Sequence, residues 1–121
     1  MLSYKMVNFL KKNNAHYEVM NHPQSFSAQR TAQVTHLPGR MVAKPVIVQI
    51  DGAYKMIVMP ADEYIDVMHL MDIFKTRNIR LAREKDFEAI FGDCEPGAMP
   101  PFGNLYGMDV FVAKDLTKDD I

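Results

Sequence analysis

The sequence has a single cysteine, Cys94, among 121 residues. That excludes an internal disulfide framework and suits a reducing cytosol. It lacks an excess of charge of either sign: the formal net charge is -1, so the chain as a whole carries no polyanion-binding signature. No apolar run approaches the roughly 20 residues that a membrane span needs. The N-terminal stretch "MLSYKMVNFLKKNN" is interrupted by polar residues and has no small-residue cleavage site, so a secretory signal is not expected. Internal repeats and low-complexity segments are missing. So are the G-x-x-x-x-G-K-[ST], G-x-G-x-x-G and G-x-S-x-G motifs, which removes the commonest phosphate, dinucleotide and nucleophile-elbow chemistries. His16, His22, His36 and His69 do not fall at zinc-ligand spacing, and one cysteine builds no cysteine-rich site. Neither a metal nor a cofactor is expected.

What is present is an ordinary globular composition, 48% hydrophobic and 24% charged, of about one domain's length. Met6, Phe9 and Leu10 join Leu2 on one helical face, with Ser3 as an N-cap and Asn13-Asn14 as a stop. "HYEVM" (16–20) alternates like a strand. A helix capped by Ser25 or Ser27 runs toward Leu37 and stops at Pro38-Gly39. Asp51-Gly52 lies between two β-rich runs, the strongest hairpin signal in the chain. Asp66 can cap a helix whose apolar face holds Val67, Leu70, Met71 and Phe74. "NIRLA" (78–82) reads as a short strand, "REKDFEAIF" (83–91) as a helix and "MDVFVA" (108–113) as a strand. The mixture predicts an α+β fold, with a mixed and largely antiparallel sheet and helices around it. Residues 1–121 contain no linker long enough to divide them.

Three features stand out from this background. The first is "GDCEPGAMPPFGN" (92–104), with three glycines and three prolines in thirteen residues. Proline fixes φ and glycine permits positive φ, so such a loop holds a shape without regular hydrogen bonding. That leaves the N–H groups of Gly97, Ala98 and Met99 available to a ligand. Equally, the loop can be a rigid connection whose Met99 and Phe102 plug the core. The second is Lys44, inside the apolar run "MVAKPVIVQI" (41–50). A lysine there must snorkel, pair or reach solvent. Pro45 removes a ladder donor, which points to a sheet edge or a bulge. Lys44 is then either a site residue or an edge-strand guard against aggregation. The third is a basic run, Lys75, Arg77, Arg80, Arg83 and Lys85, with Glu84 as the one acid among them. It reads as a phosphate patch or as a solvated face. A thiol mechanism at Cys94 would lack an assigned base.

Residues 22–62, "HPQSFSAQRTAQVTHLPGRMVAKPVIVQIDGAYKMIVMPAD", with 91–116, "FGDCEPGAMPPFGNLYGMDVFVAKDL", resemble the YbaK-type and prolyl-tRNA-synthetase-associated editing domains. Two motifs in the right order carry the resemblance: the lysine of "VAK", Lys44, and a G-x-x-x-P loop, Gly97 to Pro101. The resemblance implies a barrel-like sheet and an aminoacyl-tRNA deacylase. Such an enzyme acts in trans in the cytoplasm on tRNA carrying a wrong amino acid, with tRNA for proline charged with alanine or cysteine as the substrate. It implies that Lys44 holds a phosphate or the aminoacyl end. Gly97, Ala98 and Met99 would surround the scissile ester, and His22, Pro100, Pro101, Phe102 and Gly103 would line the substrate site. Water, assisted by the substrate's ribose hydroxyl, replaces a protein nucleophile. A module that binds a tRNA 3′ end or small nucleotide without hydrolysis is the alternative. The family pattern continues beyond "VAKDL" with a strand, a helix and a G-x-H turn. The expectation is therefore either a naturally short form of the domain or a truncated one, monomeric or homodimeric, with an exposed sheet edge or a compensating dimer.

Overall fold

A computed structural model describes residues 4–19, 28–92, 99–114 and 116. The fold grows from one hairpin. β1 (Ala43–Ile50) and β2 (Ala53–Pro60) pair antiparallel without interruption, from Ala43 opposite Pro60 to Ile50 opposite Ala53. The turn uses Asp51 at φ 50° and Gly52 at φ 87°. Two successive left-handed residues match the twist of the strands they join. The Asp51 N–H donates to the Asn78 carbonyl (2.9 Å), and the Thr76 hydroxyl donates to the Asp51 carboxylate (2.7 Å). The hairpin tip is thereby tied to the segment that leads into the next strand.

β3 (Ile79–Leu81) pairs antiparallel with the distal part of β1, and β4 (Asp109–Val112) pairs in parallel with β2. The strand order is β3-β1-β2-β4, a mixed sheet with one parallel pairing. Among the described residues it stays open rather than closing into a barrel.

Both faces of the hairpin are covered. One face contributes Ile47, Met56 and Val58 to a core with Phe87, Phe91 and Met108. The other contributes Val48, Ile50 and Ile57 to a core with Leu70 and Ile79. Because both faces are buried, β2 reads as a nearly unbroken apolar run instead of alternating. The second core lies under α3 (Val67–Phe74), whose Val67, Leu70, Met71 and Phe74 face the sheet. Asp66 caps that helix by accepting from the His69 N–H (3.2 Å), as its sequence predicts.

α1 (Tyr4–Lys12), α2 (Ala28–Thr35) and α3 end alike. Each is followed by a non-glycine residue in left-handed conformation: Asn14 (φ 54°), His36 (φ 58°) and Lys75 (φ 54°). In each case the next N–H returns to a carbonyl five residues back, as in Ala15 to Leu10 and Leu37 to Ala32. His36 therefore stops α2 before Pro38-Gly39 is reached.

Two predicted elements differ. Residues 16–19 form no strand, and Tyr17 and Val19 are exposed. Alternation supplies a strand's pattern, but a strand also needs a neighbour to pair with. The helix expected over 83–91 is one turn, α4 (Glu84–Phe87), followed by tighter turns in which the Ile90 N–H donates to the Phe87 carbonyl (3.0 Å). Phe87 and Phe91 meet edge to face, 6.1 Å between ring centres.

Candidate active site

Lys44 lies near the start of β1 and is half-buried. The register across Lys44 and Pro45 is continuous, so no bulge is present. Pro45 is tolerated for another reason. Ile47 turns its carbonyl toward β3, where it accepts from the Ala82 N–H (3.0 Å). Pro45, two residues earlier, turns its nitrogen the same way, and β3 pairs only from Val48 to Ile50. The missing donor falls on a locally open edge.

The Lys44 ammonium donates to the backbone carbonyl of Glu63 and stands 5.1 Å from the centre of the Tyr64 ring, within cation–π range. The turn at Ala61 and Asp62, which leads into Glu63 and Tyr64, is fixed beside β1. Buried Ala61 donates to the carbonyls of Val42 (2.8 Å) and Gly39 (3.1 Å). A Cβ at Gly39 would come within 2.9 Å of the Asp62 Cβ, so glycine permits the close approach. Among the described residues no carboxylate pairs with Lys44.

Glu63 and Tyr64 also line a cavity of about 660 Å³ between α3, β2 and β4. Met59, Leu70, Phe74 and Phe111 supply apolar wall, and His69 and Lys114 supply polar groups. Lys44 and Met59 are directly opposite in the ladder. Lys44 therefore belongs to the sheet face that carries α3.

The described part of the glycine–proline loop approaches the other face. Met99 is half-buried and packs on the core of Ile47, Met56, Phe87, Phe91 and Met108. Pro100 is buried, and Pro101 and Phe102 are half-buried. Phe102 meets Phe9 of α1, with ring centres 5.4 Å apart. Gly103 is buried at the start of a 3-10 turn, Gly103–Tyr106. A Cβ there would lie 2.8 Å from Met108 Cγ and 3.2 Å from Met56 Cβ. Residues 99–103 thus anchor the loop to the core and to α1. His22, Cys94, Gly97 and Ala98 lie outside the described residues.

The basic run is divided. Arg80 and Arg83 each lie 3.6 Å from the Asp86 carboxylate. The Arg83 backbone N–H donates to that carboxylate (3.0 Å) and, with the two guanidinium charges, holds it below the usual carboxylate range. Lys75 and Arg77 border a separate shallow pocket with Met68 and Met71. Tyr64, which the sequence placed in an unremarked connection, is 78% exposed beside Lys44. The signal available for it was the one that marked Phe102, a large ring in a segment without periodicity.

Among the described residues no group of three His, Cys, Asp or Glu side chains could hold a metal ion, and no helix is long and apolar enough to cross a membrane. No curated protein matches the sequence closely enough to count as a relative. Several solved structures share the fold, two of which are informative. One is a candidate trans-editing enzyme for prolyl-tRNA synthetase, at 17% identity and TM-score 0.75, covering 96% of this chain and 76% of that one. The other is the hypothetical protein APE2540, at 16% identity and TM-score 0.73, covering 89% and 71%. At such identity the likeness is one of fold. The sequence profile of the aminoacyl-tRNA editing domain matches residues 22–121, nearly the whole chain. The chain belongs to the aminoacyl-tRNA editing domain family.

Proposed function

We propose that the protein acts in trans, in the cytoplasm, to hydrolyse the ester that joins a wrong amino acid to tRNA, with tRNA for proline carrying alanine or cysteine as the substrate. The observation that carries this reading is Lys44. A half-buried ammonium without a carboxylate partner among the described residues is held by a neutral carbonyl and a ring face, those of Glu63 and Tyr64, which line a cavity. An arriving anion gains a charge-assisted contact and displaces no ion pair. Lys44 holds a phosphate of the acceptor end or the aminoacyl group.

Lys44 and the described part of the loop lie on opposite faces of the sheet, so the reading requires an acceptor end that passes the sheet's margin to meet both: the N–H groups of Gly97, Ala98 and Met99 serve as preorganised donors for the developing oxyanion. Pro100 and Gly103, both buried, fix the loop that presents those donors. Pro101, Phe102 and His22 border the substrate. Water adds to the ester carbonyl carbon. The bond to the ribose oxygen then breaks, and that oxygen takes up a proton derived from the water. The products are the free amino acid and a tRNA with a free hydroxyl. No protein nucleophile is required.

The test is a deacylation screen over tRNAs mischarged with small amino acids. Release of alanine or cysteine from tRNA for proline, with the correctly charged tRNA spared, is the expected result. A protein that binds these tRNAs and releases nothing is a binding module instead.

A further inference from the structure

We infer that Tyr64 is a stacking platform for the terminal base of the tRNA acceptor end, placed beside Lys44 so that base and phosphate are held by adjacent residues. The inference rests on the editing reading for its ligand and goes beyond it in naming a residue and a contact.

Tyr64 is a large aromatic residue left 78% exposed, in the segment directly after a pinned turn. The Glu63 N–H donates to the Pro60 carbonyl (3.1 Å), and Ala61 is bonded to Val42 and Gly39. A ring carried on a fixed backbone loses little freedom when a flat partner covers it. The Lys44 ammonium lies over the ring, which couples the two side chains. Lys114 and His69 line the same cavity, and Phe111 extends the apolar surface. Of the acids nearby, Glu63 and Asp66 line the cavity, Asp66 as the cap of α3, and Asp62 is exposed in the preceding turn. An exposed ring beside lysines is the arrangement by which single-stranded nucleic acid is held: bases stack on the ring while cations meet phosphates. The unpaired end of an acceptor stem is such a strand, and its last base has no partner to leave.

The experiment measures binding of uncharged acceptor-stem RNA hairpins by fluorescence anisotropy. One hairpin ends in its 3′ adenine and the other has that base removed. Wild type is expected to bind the intact end about tenfold or more tightly than the abasic one, the scale of one base–aromatic stack. Tyr64→Ala should bind both as weakly as wild type binds the abasic end. Tyr64→Phe and Tyr64→Trp should restore the preference, a rescue that a merely structural role would not give. Equal thermal midpoints for all variants are expected, since so exposed a ring contributes little to the core. A Tyr64→Ala protein that keeps the wild-type preference overturns the inference, as does a wild type that binds both ends alike or binds neither. The catalytic reading is judged separately. Base-dependent binding through Tyr64 without hydrolysis of any mischarged tRNA leaves this inference standing and removes the enzyme. Hydrolysis with an unchanged end preference in Tyr64→Ala removes this inference alone.

Discussion

The Lys44 ammonium donates to the carbonyl of Glu63, nineteen residues further along the chain. A strand residue is thus joined to a segment that lines a cavity. Removing the lysine leaves only a backbone carbonyl at a half-open position, so the fold should survive. Lys44→Ala should lower kcat/KM toward mischarged tRNA by roughly ten- to a hundredfold, the scale of one charge-assisted contact. The salt dependence of tRNA binding should also become shallower, by about one phosphate. Unchanged turnover and an unchanged salt slope would make Lys44 an edge-strand residue only.

Gly103 has no room for a methyl group, since a Cβ would sit 2.8 Å from Met108 Cγ and 3.2 Å from both Met56 Cβ and Val110 Cγ2. Gly103→Ala should destabilise by about 1–3 kcal/mol, the usual cost of overpacking, read as a lowered denaturation midpoint with an unchanged slope. Combined with Met108→Ala it should cost less than the sum of the two single changes, because the two share one space. A Gly103→Ala protein as stable as wild type would mean that the loop does not press on this core.

Pro100 and Pro101 restrict the loop before substrate arrives. Replacing both with alanine should reduce turnover more than it reduces thermal stability, since the ordering cost moves to the binding step. Pro100 is buried and Pro101 only half-buried, so the single Pro101→Ala change separates the two effects. Turnover should fall in that variant too, with the melting temperature nearly constant. Full activity in a protein that melts early would assign the prolines to packing.

The Asp86 carboxylate carries the acid limb of stability in this region. Its folded-state pKa is lowered, first by the Arg83 backbone N–H and then by the charges of Arg83 and Arg80. A lowered carboxyl favours the folded state fully above the unfolded carboxyl's own range, and the benefit is lost as pH falls through the folded value. Wild type should therefore exceed Asp86→Asn in stability near neutral pH and converge with it in acid, below the ordinary aspartate value of 3.8. Both arginines are largely exposed, so the difference should be modest and should shrink in high salt. Parallel stability curves for the two proteins across that range would remove the assignment.

The hairpin at Asp51-Gly52 and the cap at Asp66 were legible because each is a local signal: two residues that tolerate positive φ, and one carboxylate before an apolar helical face. The family was legible through "VAK" and the G-x-x-x-P loop for the same reason. What escaped depends on partners distant in sequence. Tyr17 and Val19 alternate, yet among the described residues no strand pairs with them. The parallel pairing of β4 with β2 cannot be read from either strand alone. In the site, the sequence marked Lys44 by the oddity of a charge within an apolar run. It did not reveal the face to which Lys44 turns, because strand parity becomes meaningful only once the register with Met59 is fixed. Tyr64 was passed over because exposure is a property of the folded surface. Arg80 and Arg83 were grouped with Lys75 and Arg77 by proximity in the chain, whereas the fold gives the first two to Asp86.

The parallel strand also has a kinetic consequence. β1 and β2 close across a two-residue turn, while Lys55 meets Asp109 only after a return of 54 residues. The chain entropy of that return is lost before the β2–β4 contacts can compensate for it. The hairpin should therefore form early, and β4 should dock late. The same order should govern opening: in hydrogen exchange, the β4 amides should trade with solvent through a partial unfolding that leaves the amides of β1 and β2 protected. One wall of the cavity, made by Phe111 and its neighbours, would then open and close without the rest of the molecule, giving a bulky acceptor end a way in that no rigid cleft provides.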